Sequence, residues 1–307
     1  MTTPAPGPYR SGFACFVGRP NAGKSTLTNA LVGMKVAITS GRPQTTRHAV
    51  RGIVHRADAQ LVLVDTPGLH RPRTLLGERL NDVVRATLSE VDIVGFCVPA
   101  NEPAGRGDRY IADELSRLPP RTPVVAIVTK TDLVSDRDRL GARLLEVAAL
   151  GDWAEIVPVS AVSSYQVDVL ADLLVGLLPE GPPLYPDGEL TDEPEQVMVA
   201  ELVREAALEG VRDELPHSLA VAVEEMIPRP DRPADRPLLD VHVILYVERP
   251  SQKAIIIGTR GERLKAVGTQ ARRQIEALLG TPVYLDLHVK VAKDWQRDPR
   301  QLRKLGF

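Results

Sequence analysis

Short apolar runs that alternate with helical patterns occupy the first 180 residues of the chain. Runs this short and this apolar are typical of strands buried on both faces of a sheet. The segments between them, among them 26–32, 75–89 and 139–149, repeat apolar residues at helical spacing. Strands that alternate with helices predict a mostly parallel sheet with helices on both faces, an α/β domain. The apolar runs are Phe13–Val17, Leu61–Val64, Val91–Val98, Val124–Val128 and Ile156–Val159.

The pattern changes after a Pro- and Gly-rich stretch at residues 179–188. The order of elements beyond it predicts a smaller α+β domain. Those elements are a helix over 195–210, strands over 218–226 and 239–247, a helical turn, a long helix over 261–279 and a strand over 283–291. The predicted organisation is a disordered leader over 1–10, a first domain over 11–180, a linker over 181–194 and a second domain over 195–307.

The composition is that of a soluble globular protein, with 43% hydrophobic and 25% charged residues. No stretch approaches the roughly 20 uncharged apolar residues of a membrane span, and the first residues lack the apolar core of a signal peptide. Both cysteines lie in apolar runs, so we expect reduced thiols and a cytoplasmic protein.

Charge is unevenly distributed along the chain. The formal net charge is −2, yet residues 251–307 contain 12 Lys and Arg against 5 Asp and Glu. This excess predicts a surface that binds a polyanion, with a solvated basic face as the alternative.

The first apolar run leads into Gly18-Arg-Pro-Asn-Ala-Gly-Lys-Ser25, which matches the phosphate-loop pattern G-x-x-x-x-G-K-[ST] at every fixed position. In such a loop the backbone N–H groups and the helix N-terminus face the phosphates. Lys24 is expected to neutralise the β- and γ-phosphates, and the Ser25 hydroxyl to bind Mg²⁺. A chance match in a Gly-rich turn is the alternative, and the flanking strand and helix argue against it.

Further motifs follow later apolar runs. Asp65, in Asp65-Thr-Pro-Gly68, can hold Mg²⁺, while Gly68 can donate its N–H to a γ-phosphate. Asp132, in Thr129-Lys-Thr-Asp132, can accept both the N1–H and the N2 amine of guanine, which adenine does not offer. Ser160-Ala161 can supply a backbone N–H to the guanine O6. These motifs predict a site for GTP or GDP with Mg²⁺. The predicted nucleotide-binding residues are Gly18, Asn21, Ala22, Gly23, Lys24, Ser25, Thr26, Asp65, Gly68, Thr129, Lys130, Asp132, Ser160 and Ala161.

The order of these motifs resembles the translation-factor-related class of GTPases. The resemblance implies that Thr46, rather than Thr45, closes onto Mg²⁺ when a γ-phosphate is present, and that Asn21 holds a K⁺ ion near the phosphates. A plain surface turn is the alternative for the loop of Thr46, and turn geometry alone for Asn21. The predicted catalytic residues are Lys24, Asn21, Thr46 and Gly68, and the predicted metal ligands are Ser25, Thr46 and Asp65.

Two positions depart from the usual pattern of that class. Leu69 follows Asp-x-x-Gly where many GTPases have a water-orienting Gln, and a leucine cannot hydrogen-bond water. We therefore expect slow hydrolysis that K⁺ accelerates. Thr129 stands where Asn is usual, and we expect guanine specificity to survive with weaker affinity.

In the second domain, Gly258-Thr-Arg-Gly261 lies between an apolar segment and the long helix. Such a loop lets the backbone approach nucleic-acid phosphates closely, as in KH domains. The pattern alone is weak, but the basic residues around it favour a salt-sensitive affinity for a phosphate backbone. Ile255–Ile257 with Val267 is expected to form part of an apolar groove, and the element order matches a type II KH domain. The predicted RNA-binding residues are Lys253, Ile257, Gly258, Thr259, Arg260, Gly261, Arg263, Lys265 and Arg272.

Over residues 12–307 the chain resembles the Era family of bacterial ribosome-assembly GTPases. The resemblance implies a GTP-controlled protein that binds 16S ribosomal RNA near its 3′ end and assists maturation of the small ribosomal subunit. It also implies a mainly cytoplasmic protein with some peripheral association with the inner face of the cell membrane, and we expect a monomer. The chain departs from the family at Thr129, in its Pro-rich leader and in the longer loop at 228–237. The motifs that carry the resemblance are Gly18–Ser25, Pro43–Arg47, Val64–His70, Leu215–Ser218, Ile256–Gly261 and Leu302–Phe307.

Two other functions are compatible with the same motifs. One is an RNA chaperone in which the nucleotide only stabilises the fold, and replacement of Lys24 or Asp65 would separate it from a switch. The other is a GTPase that signals at an anionic membrane through its basic C-terminal face. The apolar segment beside Gly258–Gly261 favours RNA over lipid.

Overall fold

The structure is a computed structural model that describes residues 8–40, 45–69, 75–211, 215–230, 232–233 and 236–305. Most of the predicted leader, Pro43, His70 and Phe307 lie outside these residues. The chain divides into two compact units. The first takes most of the chain up to Asp192, and the second begins at Glu193 and also includes Ser40, Thr45, Leu75 and Leu76. The division lies close to residue 195, the predicted start of the second domain.

The first unit is a six-stranded sheet covered by helices on both faces. Its strands are β1 (Arg10–Val17), β2 (Val50–His55), β3 (Ala59–Asp65), β4 (Ile93–Pro99), β5 (Val124–Thr129) and β6 (Glu155–Pro158). Its helices are α1 (Lys24–Val32), α2 (Leu75–Glu90), α3 (Arg106–Leu115), α4 (Arg137–Ala148) and α5 (Val167–Leu177). The strand order is β2-β3-β1-β4-β5-β6, and only β2 runs antiparallel to its neighbour. The predicted mostly parallel α/β sheet is confirmed.

Apolar residues on both faces of the sheet explain this arrangement. Every residue of β3 and of β4 is buried, as expected for strands with a helical layer on each side. One apolar cluster joins the sheet to Leu27 of α1 and Leu170 of α5. A second joins it to Val84 of α2 and Ile111 of α3. The sheet thus brings the carboxyl ends of β1, β3, β5 and β6 to one edge.

Residues 181–192, predicted as a linker, are fastened to the first unit. The Ile53 N–H of β2 donates to the Leu190 carbonyl at 2.9 Å. The buried Gln60 amide oxygen accepts from the N–H groups of Leu184 and Tyr185, at 2.6 and 2.8 Å. This segment therefore runs along β2 and covers the edge of the sheet that would otherwise expose unpaired backbone groups.

The second unit has the element order expected of a type II KH domain. Its strands are β7 (Ala220–Pro228), β8 (Leu239–Val247) and β9 (Val283–Val291), and its helices are α6 (Glu195–Leu208), α7 (Leu215–Ser218), α8 (Pro250–Ile257), α9 (Glu262–Leu279) and α10 (Pro299–Lys304). The sheet order is β7-β8-β9, with β7 antiparallel and β9 parallel to β8. Helix α9 buries Val267, Ala271 and Ile275. The predicted helical turn is a full eight-residue helix, α8.

No helix among the described residues is long and apolar enough to cross a bilayer.

Candidate nucleotide site and nucleic-acid surface

The phosphate loop curls tightly between β1 and α1. Asn21 and Gly23 adopt left-handed φ values of 64° and 89°. A Cβ atom at Gly18 would lie 2.6 Å from the Cys97 carbonyl oxygen, so only glycine fits there. The Nζ of the buried Lys24 donates to the carbonyls of Gly18 and Arg19, each at 3.2 Å. The ammonium group therefore already lies inside the curl where phosphates would bind.

Three oxygen-bearing side chains meet beside this loop. The Ser25 hydroxyl donates to Oδ2 of Asp65 at 2.6 Å and lies 2.9 Å from Oγ1 of Thr46. The Thr46 hydroxyl donates to the same Asp65 oxygen at 3.1 Å. All three predicted metal ligands are thus brought together, from three separate parts of the chain.

This cluster fits Mg²⁺. The ion binds oxygens at about 2.0–2.1 Å in an octahedron, which puts adjacent ligand oxygens about 3 Å apart. The oxygens of Ser25, Thr46 and Asp65 have that spacing, and Oδ1 of Asp65 is buried without a hydrogen-bond partner among the described residues. Among those residues no group of three or more His, Cys, Asp or Glu could hold a metal ion.

The two buried charges of the site are both penalised by desolvation. Burial raises the pKa of the Asp65 carboxyl, against the opposing effects of the Ser25 hydroxyl, the Lys24 ammonium and the Thr46 hydroxyl. Burial likewise lowers the pKa of Lys24, and Asp65 opposes that shift. An anion beside Lys24 and a cation beside Asp65 would relieve both penalties.

The segment after Asp65 lies directly against the phosphate loop. A Cβ atom at Gly68 would come within 2.9 Å of the Pro20 nitrogen, and the Leu69 N–H donates to the Gly18 carbonyl at 3.3 Å. The Leu69 side chain is buried in the apolar cluster that includes Val84. It therefore faces the core, in agreement with the prediction that it orients no water.

Thr129 retains a connection to the phosphate loop. Its hydroxyl is buried and donates to the Ala22 carbonyl at 2.6 Å. The shorter side chain thus still links the end of β5 to the phosphate loop. Sequence reasoning missed this bond because it depends on the distance between strand ends.

The predicted guanine-binding residues lie together at the ends of β5 and β6. The Ser160 hydroxyl donates to Oδ1 of Asp132 at 2.6 Å, which orients the carboxylate and leaves its second oxygen for the base. Lys130 adopts a left-handed φ of 58°, and its Cε lies 3.9 Å from a Cβ built at Gly23. Its stem therefore reaches over the phosphate loop. Ala161 follows Ser160 and is half-buried.

Thr26 is half-buried in the first turn of α1, and Asn21 is exposed at the loop surface. Ala22 is fully buried.

One residue of the phosphate loop has a role that the motif does not indicate. The Arg19 guanidinium lies 2.7 Å from Oε2 of Glu102 and 3.3 Å from Oδ1 of Asp108. Asp108 is completely buried and accepts the Gly105 N–H at 2.8 Å. Arg19 thus ties the loop to the start of α3.

In the second unit, the Gly258–Gly261 loop joins α8 to α9. Gly258, Arg260 and Gly261 have left-handed φ values of 73°, 52° and 80°. Thr259 and Arg260 of the loop and Lys265 and Arg272 of α9 are exposed, whereas Lys253 and Ile257 are half-buried. Three of the predicted basic residues, Arg260, Lys265 and Arg272, are thus open to solvent.

Two expectations for this surface need adjustment. Ile256 and Val267 are buried in the core, so only the half-exposed Ile255 and part of Ile257 remain for an apolar groove. The Arg263 guanidinium donates to the Glu209 carbonyl at 2.7 Å and to the Ala207 carbonyl at 3.4 Å. It is occupied within the unit and does not lie free beside Arg260.

Comparison with protein families agrees with both units. A family described as 50S ribosome-binding GTPase matches residues 13–130, and the KH domain family matches residues 214–296.

Comparison with individual proteins extends this agreement to the whole chain. GTPase Era of Streptomyces coelicolor is 74% identical over 99% of this chain and 97% of its own. GTPase Era of Nocardioides sp. is 70% identical over the full length of both.

Among solved structures, a crystal structure of Era in complex with MgGDPNP and nucleotides 1506–1542 of 16S ribosomal RNA matches with a TM-score of 0.92. It is 36% identical and covers 97% of this chain and 99% of its own. A variant of Aquifex aeolicus Era bound to GDP.AlF4- matches equally well. The chain therefore belongs to the Era family of GTPases.

Proposed function

We propose that this GTPase is a switch that binds 16S ribosomal RNA near its 3′ end through the KH domain and assists maturation of the small ribosomal subunit. The relative crystallised with MgGDPNP also holds nucleotides 1506–1542 of that RNA. The exposed basic residues around Gly258–Gly261 support the same ligand here, because phosphate contacts dominate the affinity of such surfaces.

The observation that carries the switch is the contact of Thr46 with Ser25 and Asp65. Thr46 belongs to the loop before β2, whereas the other two residues are held by α1 and β3. A loop hydroxyl that can join a Mg²⁺ site closes when the γ-phosphate is present and is released after hydrolysis. Closure of this loop would therefore report which nucleotide is bound.

Hydrolysis in this site rests on electrostatics. Lys24 neutralises charge on the β- and γ-phosphates, the Gly68 N–H can donate to the γ-phosphate, and bound Mg²⁺ supplies further charge neutralisation. The residue after Gly68 points into the core and cannot orient the attacking water. Because no side chain at this position orients the attacking water, we expect slow intrinsic turnover.

Asn21 is the residue we assign to a K⁺ ion. It is exposed, and its left-handed φ of 64° places it at a sharp bend of the phosphate loop. Hydrolysis measured in K⁺ and in Na⁺ at equal ionic strength tests this role. We expect faster turnover in K⁺ and loss of the difference in Asn21→Ala. Equal rates in both salts would exclude the assignment.

The switch is tested by measuring RNA affinity with a GTP analogue, with GDP and without nucleotide, using a 16S fragment spanning nucleotides 1506–1542. We expect the three affinities to differ, and the difference to disappear in Lys24→Ala. Identical affinities in all three states would favour the RNA chaperone over the switch.

Peripheral association with the inner face of the cell membrane is a further part of the proposal. It is supported only by the basic character of residues 251–307. Binding to anionic vesicles, measured with and without the 16S fragment, would test it. We expect the protein to bind the vesicles and the RNA to displace it from them.

A further inference from the structure

Arg263 differs from the other basic residues near the Gly258–Gly261 loop. Arg260 and Lys265 are exposed, whereas Arg263 is half-buried and its Nε is buried without a hydrogen-bond partner among the described residues. Its terminal nitrogen Nη2 donates to the carbonyls of Glu209 and Ala207. These carbonyls lie at the carboxyl end of α6, where Glu209 is the C-cap residue.

This contact is electrostatically favourable for a structural reason. The last carbonyls of a helix lack intrahelical partners and carry partial negative charge, so a cation beside them is stabilised. A guanidinium held by two such carbonyls has fewer donors left for a phosphate group. The side chain therefore caps α6.

The backbone of the Gly258–Gly261 loop also packs closely against Arg263. A Cβ atom at Gly258 would lie 2.6 Å from Cβ of Arg263 and 3.1 Å from its backbone nitrogen. Arg263 is also the second residue of α9, the helix that Gly261 begins. The first glycine of the loop is thus in close contact with the residue that is anchored to α6.

We propose that Arg263 is a positioning residue for the RNA-binding loop: it joins the start of α9 to the end of α6 and so holds Gly258–Gly261 in the conformation that accepts phosphates. This rests on the proposed RNA-binding function. It reassigns Arg263 from a phosphate contact to a residue that acts through the loop backbone.

Salt dependence separates the two roles. Each phosphate contact to a single strand contributes about 0.7 to the slope of log affinity against log salt concentration. A residue that contacts phosphate changes that slope when it is removed. A residue that only positions the loop lowers affinity at every salt concentration and leaves the slope unchanged.

The experiment compares Arg263→Met with Lys265→Met in the full chain, using the 16S fragment over a series of KCl concentrations. Both variants remove one positive charge from α9, so their long-range electrostatics match. For Arg263→Met we expect affinity to fall about tenfold with an unchanged slope. For Lys265→Met we expect a smaller loss and a slope reduced by about 0.7. Arg263→Lys, which keeps the positive charge and one donor nitrogen, should recover part of the affinity.

The outcomes distinguish the possible failures. A reduced slope in Arg263→Met would show a direct phosphate contact and overturn the proposal. A loss of RNA-binding stoichiometry with unchanged affinity of the active fraction would show a purely structural role and overturn it too. Unchanged RNA affinity in Arg263→Met, together with weaker RNA binding by Lys265→Met, would exclude the positioning role of Arg263 and leave the RNA surface intact. Unchanged affinity in Gly258→Ala, Arg260→Met and Lys265→Met would instead contradict the RNA surface itself.

Discussion

The phosphate loop and the Gly258–Gly261 loop are both expected to bind phosphate groups, but their surroundings differ. Each leads into a helix through a glycine with left-handed φ, Gly23 before α1 and Gly261 before α9. Around the phosphate loop, the polar partners are buried and come from distant parts of the chain. Around the second loop, Arg260 and Lys265 are exposed and lie nearby in sequence.

The difference follows from the ligands. A nucleotide must be enclosed and its phosphates neutralised by groups oriented beforehand, which requires buried charges and long-range contacts. An RNA backbone is long and solvated, and exposed charges suffice for it. Even the arginines reflect this contrast, since Arg19 is tied to buried and half-exposed carboxylates and Arg263 to backbone carbonyls.

The largest effect is expected from Asp65→Asn. The carboxylate is central to the cluster with Ser25 and Thr46, so its loss should reduce kcat/KM for GTP by at least about 100-fold. RNA affinity of the nucleotide-free protein should not change. Steady-state hydrolysis and RNA binding of the same preparation test both statements. A parallel loss of RNA affinity would contradict the prediction that, without nucleotide, the Gly258–Gly261 loop binds RNA independently of Asp65.

The same substitution should stabilise the nucleotide-free protein. Burial raises the pKa of Asp65 in the folded state, so the folded protein binds more protons than the unfolded chain above the ordinary carboxyl value of about 3.9. Stability therefore falls as pH rises through the raised pKa. The Tm advantage of Asp65→Asn should be present at pH 7 and shrink as pH approaches 4. An advantage independent of pH would exclude this explanation.

Periodicity and motifs in the sequence predict the elements and the main site residues, but not the contacts between distant parts of the chain. The sheet and the order of KH elements follow from periodicity, and the motifs at strand ends identify the phosphate loop, Asp65 and Asp132. The antiparallel strand β2 was not among the predicted strands, because Arg51 and His55 interrupt its apolar residues. The bonds of Thr129 to Ala22 and of Ser160 to Asp132 depend on how strand ends meet in three dimensions, which periodicity does not describe.

Arg19→Met tests the anchor of the phosphate loop. Removal of the guanidinium leaves the buried Asp108 carboxylate without its cation, and we expect a loss of about 2–3 kcal/mol in the free energy of unfolding. Asp108→Asn removes the partner charge and should restore most of the loss in the double variant. Denaturant unfolding of the four proteins gives the coupling energy. Additive losses in the double variant would show that the two residues do not interact.

Thr129→Val should weaken nucleotide binding by a smaller factor. It removes the buried donor to the Ala22 carbonyl, and a lost buried hydrogen bond of this kind costs about 1–2 kcal/mol, or roughly 5- to 30-fold in affinity. Thr129→Ser keeps the hydroxyl and is the matched control. GDP titrations of both variants test the prediction, and equal affinities in the two would remove the role assigned to the hydroxyl.

The smallest effects are expected at the two glycines of the second loop. Gly261 lies in the left-handed helical region, with φ 80° and ψ 6°, where alanine costs about 1–2 kcal/mol of backbone strain. Gly258 has φ 73° and ψ 178°, a combination that essentially only glycine adopts, so alanine is strained there as well. A methyl group at Gly261 meets open space, whereas one at Gly258 collides with Cβ of Arg263. Gly258→Ala should therefore weaken RNA binding more than Gly261→Ala, and neither should alter GTP hydrolysis. Equal losses would mean that neither the backbone conformation of Gly258 nor its contact with Arg263 adds to the cost.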